Sequence, residues 1–333
     1  MLNTKRPPFV ISFPAAFVAY TIFAAWLFYP YKQNFSAMQF IWPAQTIIAA
    51  TGVFVISRRW VLSFFASLAG GAVYGFGTYA CSLLCYHPFA GIVYAILPWT
   101  FVPAVFLYQW INLDRLHTSI LSALLVLLTV FFILAAYHFA AAKYFYPIPV
   151  QTRLSAKALF GIIDPLGVKQ DIFAPGLYHV CMAGLLMGIA VLIKTKRIGM
   201  IILFAVTTAA AFYKPVLNVP PVVWASIPVL ICSIMIASGL ETIVLAGAAD
   251  GKWLLCSVAL LLLLSIADVF LAHQTEIIPL SAALYGIGVV AVLFIYFIAE
   301  ANIAWHPVRM FILYSAVFLD ILISTKRNID MIF

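Results

Sequence analysis

The sequence predicts an all-α fold, a polytopic transmembrane helical bundle of about eleven spans within a range of ten to twelve. Composition is the first observation behind this prediction. Of 333 residues, 66% are hydrophobic and 8% are charged, whereas a soluble domain carries roughly 25% charged residues. The second observation is that the apolar residues form long continuous runs, most of them close to the ~20 residues that a helix needs to cross a bilayer. Because lipid offers no hydrogen bonds to the backbone, such runs form helices.

The predicted spans fall into two groups separated by a long connection. The first group is Phe9–Tyr29, Met38–Ser57, Trp60–Tyr86, Pro88–Ile111 and Ser119–Ala141. The second group is Ala174–Ile193, Ile198–Tyr213, Val222–Leu240, Trp253–Ala272, Ile278–Ala299 and Ala304–Ser324. We therefore expect a single membrane-embedded helical domain over residues 1–333, with the first five spans in 1–141, a long outer loop in 142–173 and the remaining six spans in 174–333.

The first span is predicted to be a retained helix rather than a cleaved signal peptide. Lys5 and Arg6 precede a run of about 21 apolar residues, which ends in the aromatic stretch from Trp26 to Pro30. A signal peptide has a shorter apolar region and a small-residue cleavage site after it. The first helix is therefore expected to start on the cytoplasmic side and to stay in the membrane.

The positions of lysine and arginine favour a cytoplasmic N-terminus. In that orientation most of the basic residues in short connections, among them Lys194, Lys196 and Arg197, lie on the inner side. Short cytoplasmic loops carry such an excess in membrane proteins. The formal net charge of +8 then fits contact with anionic lipid headgroups rather than with nucleic acid. The prediction is a multi-pass protein integral to the cytoplasmic (inner) membrane, with membrane lipids as its partners.

Glycines spaced by a helical turn predict close contacts between helices. Gly70, Gly71 and Gly75 lie in the third span, and Gly184 and Gly188 lie in the sixth. Small residues at this spacing let two helix backbones approach within a membrane. We interpret both sets as packing surfaces.

Five ionisable residues at membrane depth form the predicted site. Asp268 and Asp320 lie near the ends of the ninth and eleventh spans, His138 ends the fifth, His179 opens the sixth, and Lys214 ends the seventh. In the predicted topology all five approach the outer side of the membrane. An ionisable group within a span costs a few kcal/mol to insert, so its presence needs a reason. The five residues are therefore candidate substrate-binding residues, with snorkelling or local packing as the structural alternative.

Three kinds of function are compatible with such a site. The first is a polar site near the outer leaflet that binds or translocates a small or lipid-like substrate, either alone or within a larger complex. The second is an integral-membrane enzyme for a lipid or lipid-linked substrate, in which His138 or His179 works with a carboxylate in acid–base chemistry. The third is a non-catalytic subunit of a membrane complex with other membrane subunits as partners.

Haem is the one cofactor that a residue pattern in the sequence suggests. His138 and His179 lie on consecutive antiparallel spans at similar depth, as two axial imidazoles require. The spacing Cys81, Cys85 and His87 lacks the second ligand pair of a zinc site, and no metal is predicted. The sequence names no cofactor beyond this hypothesis.

One short segment resembles a known family. Ile41-Trp42-Pro43-Ala44, followed by Arg58-Arg59-Trp60, is similar to the opening of the membrane-associated sensor domains of the MASE1 type. These domains usually carry a cytoplasmic signalling module, which is not found in this sequence. The resemblance covers some twenty residues and implies no site residues.

Overall fold

The structure, a computed structural model, describes residues 9–34, 41–86, 88–110, 115–142, 152–155, 159, 161–162, 166, 176–216, 218–271, 278–303 and 305–332. These residues form twelve α-helices and no strand, apart from an isolated bridge between Val216 and Val219. The helices are α1 Phe9–Phe28, α2 Trp42–Ser57, α3 Phe64–Phe76, α4 Thr78–Tyr86, α5 Pro88–Trp110, α6 Arg115–Ala142, α7 Cys181–Lys194, α8 Ile198–Phe212, α9 Ser226–Leu245, α10 Gly251–Leu271, α11 Ile278–Glu300 and α12 His306–Ile332. Most of the predicted outer loop 142–173 lies outside the described residues.

Seven helices in the described part of the chain are long and apolar enough to cross a membrane. They are α1, α5, α6, α9, α10, α11 and α12 with their flanking turns. Three further apolar helices, α2, α7 and α8, are shorter than 18 residues. The chain is thus a helical bundle compatible with a multi-pass membrane protein, and the predicted count of about eleven spans is not confirmed.

Two of the differences between predicted and observed boundaries lie close to the residues discussed below. The predicted span Trp60–Tyr86 is two helices, because the backbone is extended at Gly77 (φ −65°, ψ 164°) between α3 and α4. The predicted last span ends at Ser324, whereas α12 continues to Ile332. In the added turns Asn328 and Ile329 are buried and Lys326 pairs with Asp330 one turn later, which explains why the helix continues past its charges.

Helix α9 is the centre of the bundle and α6 lies at its edge. In the apolar stretch of the segment Pro221–Leu245, 83% of the residues are buried inside the protein. In that of the segment His117–Ala140, 11% are buried. A helix that is apolar on all sides is stable either inside a large core or against lipid. Helix α9 lies inside the core. Helix α6 packs mainly on α5 and leaves most of its surface exposed.

The predicted glycine contacts are confirmed. A Cβ atom added at Gly188 would overlap the backbone of Met235 on α9, and one added at Gly239 would overlap the carbonyl oxygen of Gly184. On the other side of α9, a Cβ atom at Gly70 would come within 2.8 Å of Ala237. Helix α9 therefore packs between α7 and α3, and its backbone is in contact with theirs. These contacts determine the position of the segment before α7.

Candidate functional site

The candidate site is built around a histidine and an aspartate from distant parts of the chain. His179 lies two residues before α7, and Asp320 lies in the middle of α12. The Nδ1 atom of His179 is 2.8 Å from Oδ1 of Asp320, and both side chains have zero solvent exposure. We call these two residues, with the hydroxyls of Ser281 and Ser324 that bond to them, the His179–Asp320 site.

The Asp320 carboxylate accepts hydrogen bonds from three directions. Besides His179, the backbone N–H of Val180 donates to Oδ2 at 2.7 Å and the Ser324 hydroxyl donates to Oδ1 at 3.0 Å. Ser324 follows Asp320 by four residues, so the two side chains share one face of α12. Hydrogen bonds to a carboxylate stabilise its charged form, and these three replace the water that burial removes.

The second imidazole nitrogen of His179 is also engaged. Its Nε2 lies 3.0 Å from the Ser281 hydroxyl in the first turn of α11. Because an ionised Asp320 accepts from Nδ1–H, Nε2 of a neutral ring accepts from Ser281. The Tyr285 ring packs edge-on against the imidazole with centroids 4.7 Å apart. The result is a buried chain of hydrogen bonds from Ser281 through His179 to Asp320.

The break between α3 and α4 lies beside this site. The Phe76 carbonyl accepts a hydrogen bond at 2.8 Å from the Tyr178 hydroxyl, which is also 2.5 Å from the hydroxyl oxygen of Thr325 on α12. One turn further along α12, the Asn328 side chain donates to the Thr78 hydroxyl at 3.4 Å. Irregular backbone within an apolar bundle is stable only where its polar groups find partners. Side chains next to His179 and Asp320 provide those partners.

Of the five predicted site residues, the structure brings His179 and Asp320 into direct contact. Asp268 is buried, with 1% exposure, in the last turn of α10. The start of α10, at Gly251, lies beside Glu300 at the end of α11, so Asp268 is at the same end of the bundle as Ser281. His138 lies on the exposed side of α6, and Lys214 is exposed just after α8. The exposed side chains of His138 and Lys214 are therefore not part of the buried pair, although α6 and α8 each pack one face on the core.

The arrangement does not suit the haem hypothesis. Both ring nitrogens of His179 make hydrogen bonds, to Asp320 and to Ser281, whereas an axial ligand needs one nitrogen for iron. His138 is on the outer surface of α6. Haem ligation would require His179 to give up one of its two hydrogen bonds.

Several residues of the site were not predicted. On α12, a sequence signal for them exists: Asp320, Ser324 and Asn328 recur every four residues, which places three polar side chains on one face of the helix. For Ser281 and Tyr178 the sequence contains no comparable signal, because isolated hydroxyls are common in membrane helices. Their role follows from contacts across more than 100 residues of sequence.

No family model, no curated protein sequence and no solved structure matches this chain. The short similarity of residues 41–60 to sensor domains therefore has no support from a family model. What the protein does must be inferred from the chemistry of its own site.

Proposed function

We propose that this chain is a multi-pass protein of the cytoplasmic (inner) membrane that binds or translocates a small or lipid-like substrate at the His179–Asp320 site, near the outer leaflet. The observation that carries the proposal is the fully buried hydrogen bond between two ionisable side chains, His179 and Asp320. A buried pair is weak evidence for stability, because apolar residues of similar volume are often as stabilising or more so. An ionisable pair at membrane depth is therefore best explained by a function that needs its charge or its proton.

The chemistry of the pair suits reversible binding. Asp320 is fixed by Val180 and Ser324, so it keeps its position when His179 changes its hydrogen-bond partner. Imidazole changes charge most readily of all side chains near neutral pH. A polar group of a substrate that replaces the Ser281 hydroxyl would meet Nε2 of His179, which donates or accepts a hydrogen bond according to the tautomer.

The orientation in this proposal places the N-terminus and the α7–α8 turn on the cytoplasmic side. That turn contains Arg197, which lies over the Trp60 ring at 5.2 Å. Burial and the nearby positive charge of Arg59 lower the pKa of the Arg197 guanidinium. Two arginines held this close support a positively charged surface of the kind that cytoplasmic loops present.

Cysteine labelling tests this orientation. In a variant with its native cysteines replaced, Lys196→Cys should react with a membrane-impermeant maleimide in inverted vesicles and not in intact spheroplasts. Asn218→Cys, in the turn after α8, should show the opposite pattern. Labelling of Lys196→Cys from the outside would contradict the orientation.

Lipid binding and movement can be measured on proteoliposomes. The probes are fluorescent phosphatidylglycerol and phosphatidylethanolamine with a nitrobenzoxadiazole label, and dithionite reduction reports how fast each crosses the bilayer. We expect the wild-type protein to accelerate crossing of at least one probe, and Asp320→Asn and His179→Gln to reduce the rate at least tenfold. Asp250→Asn, which removes a carboxylate before α10, is the matched control. A wild-type protein that neither binds nor moves either probe, or an Asp320→Asn variant with the full rate, would contradict the lipid-like version of the proposal.

The order of groups in the site favours one second candidate, an enzyme that transfers acyl groups on a lipid substrate. Ser281, His179 and Asp320 have the hydroxyl–imidazole–carboxylate order and the hydrogen-bond distances of a nucleophilic triad. In that reaction the Ser281 oxygen attacks an ester carbonyl, His179 takes the hydroxyl proton and returns it to the leaving alcohol, and water or a second hydroxyl then removes the acyl group.

A serine-directed probe separates the two candidates. A fluorophosphonate reacts with activated serine hydroxyls, so the enzyme predicts labelling of the wild-type protein and loss of labelling in Ser281→Ala and His179→Gln. The binding or translocation function predicts no labelling, and it predicts that Ser281→Ala keeps most of the lipid movement. Ser257→Ala, which removes a hydroxyl that bonds to the Trp253 carbonyl of its own helix, is the control.

A further inference from the structure

A second feature of the molecule is an open cleft of about 930 Å³ beside α12. Its apolar wall is formed by Ile22, Phe23 and Trp26 of α1 and by Leu322 and Ile323 of α12, together with Leu280 at the start of α11. The volume lies within the range of about 300–1,000 Å³ that is usual for ligand sites. A cleft with such walls suits a hydrocarbon chain.

Charged residues line the cleft next to the apolar wall, in the last turns of α12. Lys326 forms an ion pair with Asp330, and its Nζ also donates to the Tyr31 hydroxyl at 3.1 Å. Tyr31 donates in turn to Asp330. The charge of Lys326 is therefore already balanced within the protein.

Arg327 is the uncompensated charge of the cleft. Within the described part of the chain its guanidinium makes no hydrogen bond and no ion pair, and its Nε atom is buried. A guanidinium with free donors beside an apolar wall is electrostatically complementary to an anion, and its planar fork binds phosphate with two parallel hydrogen bonds. Trp26, which is 49% exposed, is an aromatic residue of the type that lies at headgroup level in membrane proteins.

We propose that this cleft binds an anionic phospholipid, with its phosphate on Arg327 and an acyl chain along α1 and α12. The charge of Arg327 favours an anionic lipid over a zwitterionic one. The headgroup of a zwitterionic lipid has a cationic group that neutralises its phosphate, whereas an anionic lipid has a net negative charge that Arg327 can bind. Asp320, Ser324 and Asn328 are fully buried inside the bundle and do not line the cleft. The proposal is thus independent of the function proposed for the His179–Asp320 site.

Native mass spectrometry with defined lipids tests the cleft. The full-length protein is purified in detergent and mixed with equal amounts of phosphatidylglycerol and phosphatidylcholine. We expect the wild-type protein to retain phosphatidylglycerol in preference, and Arg327→Gln to bind it about tenfold more weakly, as loss of about 1.4 kcal/mol requires. Arg59→Gln, at the far end of α2, is the matched control for loss of one positive charge and should keep the preference.

Two further variants cover the case in which Arg327→Gln does not fold. Arg327→Lys keeps the charge without the fork and should keep part of the preference, and Ala19→Phe fills the cleft and should reduce retention of both lipids. Equal retention of the two lipids by the wild-type protein would overturn the proposal. So would a dimer that holds no lipid and dissociates in Ala19→Phe, because the cleft would then bind a second copy of the chain.

Discussion

His179 and Asp320 are 141 residues apart in the sequence, and their side chains lie 2.8 Å apart in the structure with no exposure to solvent. The first residues of α7 and α11 and the middle of α12 meet at this contact. Val180, at the start of α7, and Ser281, at the start of α11, contribute the remaining bonds together with Ser324 of α12. The pair therefore joins three segments of the bundle and is expected to affect both its stability and its function.

The first prediction concerns the energetic coupling of the pair. His179→Ala and Asp320→Ala should each lower the free energy of unfolding by about 3–5 kcal/mol, because each leaves a buried partner group unpaired. The double variant should lose clearly less than the sum of the two. Equilibrium unfolding in mixed detergent and sodium dodecyl sulfate micelles measures all three. Strict additivity would show that the contact contributes no coupling.

The second prediction concerns the break between α3 and α4. Tyr178→Phe removes the hydroxyl that bonds to the Phe76 carbonyl and to Thr325 and leaves the ring in place. Because the buried Phe76 carbonyl then loses its hydroxyl donor and keeps the weaker thiol donor of Cys81, stability should fall by about 1–3 kcal/mol. Tyr213→Phe, on an exposed residue after α8, should change the midpoint of thermal unfolding very little. An unchanged midpoint for Tyr178→Phe would mean that the break does not depend on this hydroxyl.

The third prediction concerns the contact between α7 and α9. Gly239→Ala introduces a Cβ that would overlap the Gly184 carbonyl oxygen, and overpacking of this kind costs about 1–3 kcal/mol. Gly199→Ala on α8 is the matched control, because nothing lies within 4 Å of its Cβ position and alanine favours the helix. The two variants should thus change the thermal midpoint in opposite directions. Equal effects would argue against the close approach of α7 and α9.

The fourth prediction concerns the start of α3. The Glu241 carboxylate accepts the backbone N–H groups of Leu62 and Ser63 at 2.8 Å and 2.7 Å, so it satisfies donors ahead of the helix that would otherwise lack partners. Glu241→Ala should destabilise the protein by about 1–3 kcal/mol, and Glu241→Gln should cost less because its amide oxygen can still accept. Glu300→Ala, on an exposed residue at the end of α11, is the control, and a loss of stability as large as that of Glu241→Ala would contradict the role of Glu241.

Much of the helical structure follows from the sequence because it depends on local composition. A long apolar run without charges is stable as a helix in lipid wherever it lies in the chain, and the positions of α1, α5, α9, α10 and α11 agree with the predicted runs within a few residues. The break at Gly77 was not predicted. Its stability comes from Tyr178, which is 102 residues away from Phe76, and hydropathy contains no information about such a partner.

The site was predicted in part for a related reason. Asp320 and His179 could each be singled out from the sequence, because inserting an ionisable residue into an apolar span costs free energy. Which residues meet depends on how each helix is rotated and on which neighbours it packs against. His138 and Lys214 lie at suitable places in the sequence, but α6 and α8 pack at the edge of the bundle, and both side chains are exposed.

The sequence by itself determined the class of environment, the helical secondary structure and the short list of costly polar residues, since each of these depends on the transfer of individual side chains and backbone groups into an apolar medium. The tertiary structure alone decided that His179 and Asp320 form a pair, that Ser281 completes a chain of hydrogen bonds with them, and that Arg327 faces an open cleft. The physical reason is that these relationships arise from close packing between helices. Gly184 and Gly239 allow α7 and α9 to touch, and such contacts between distant segments set the rotation and depth at which every other side chain is presented.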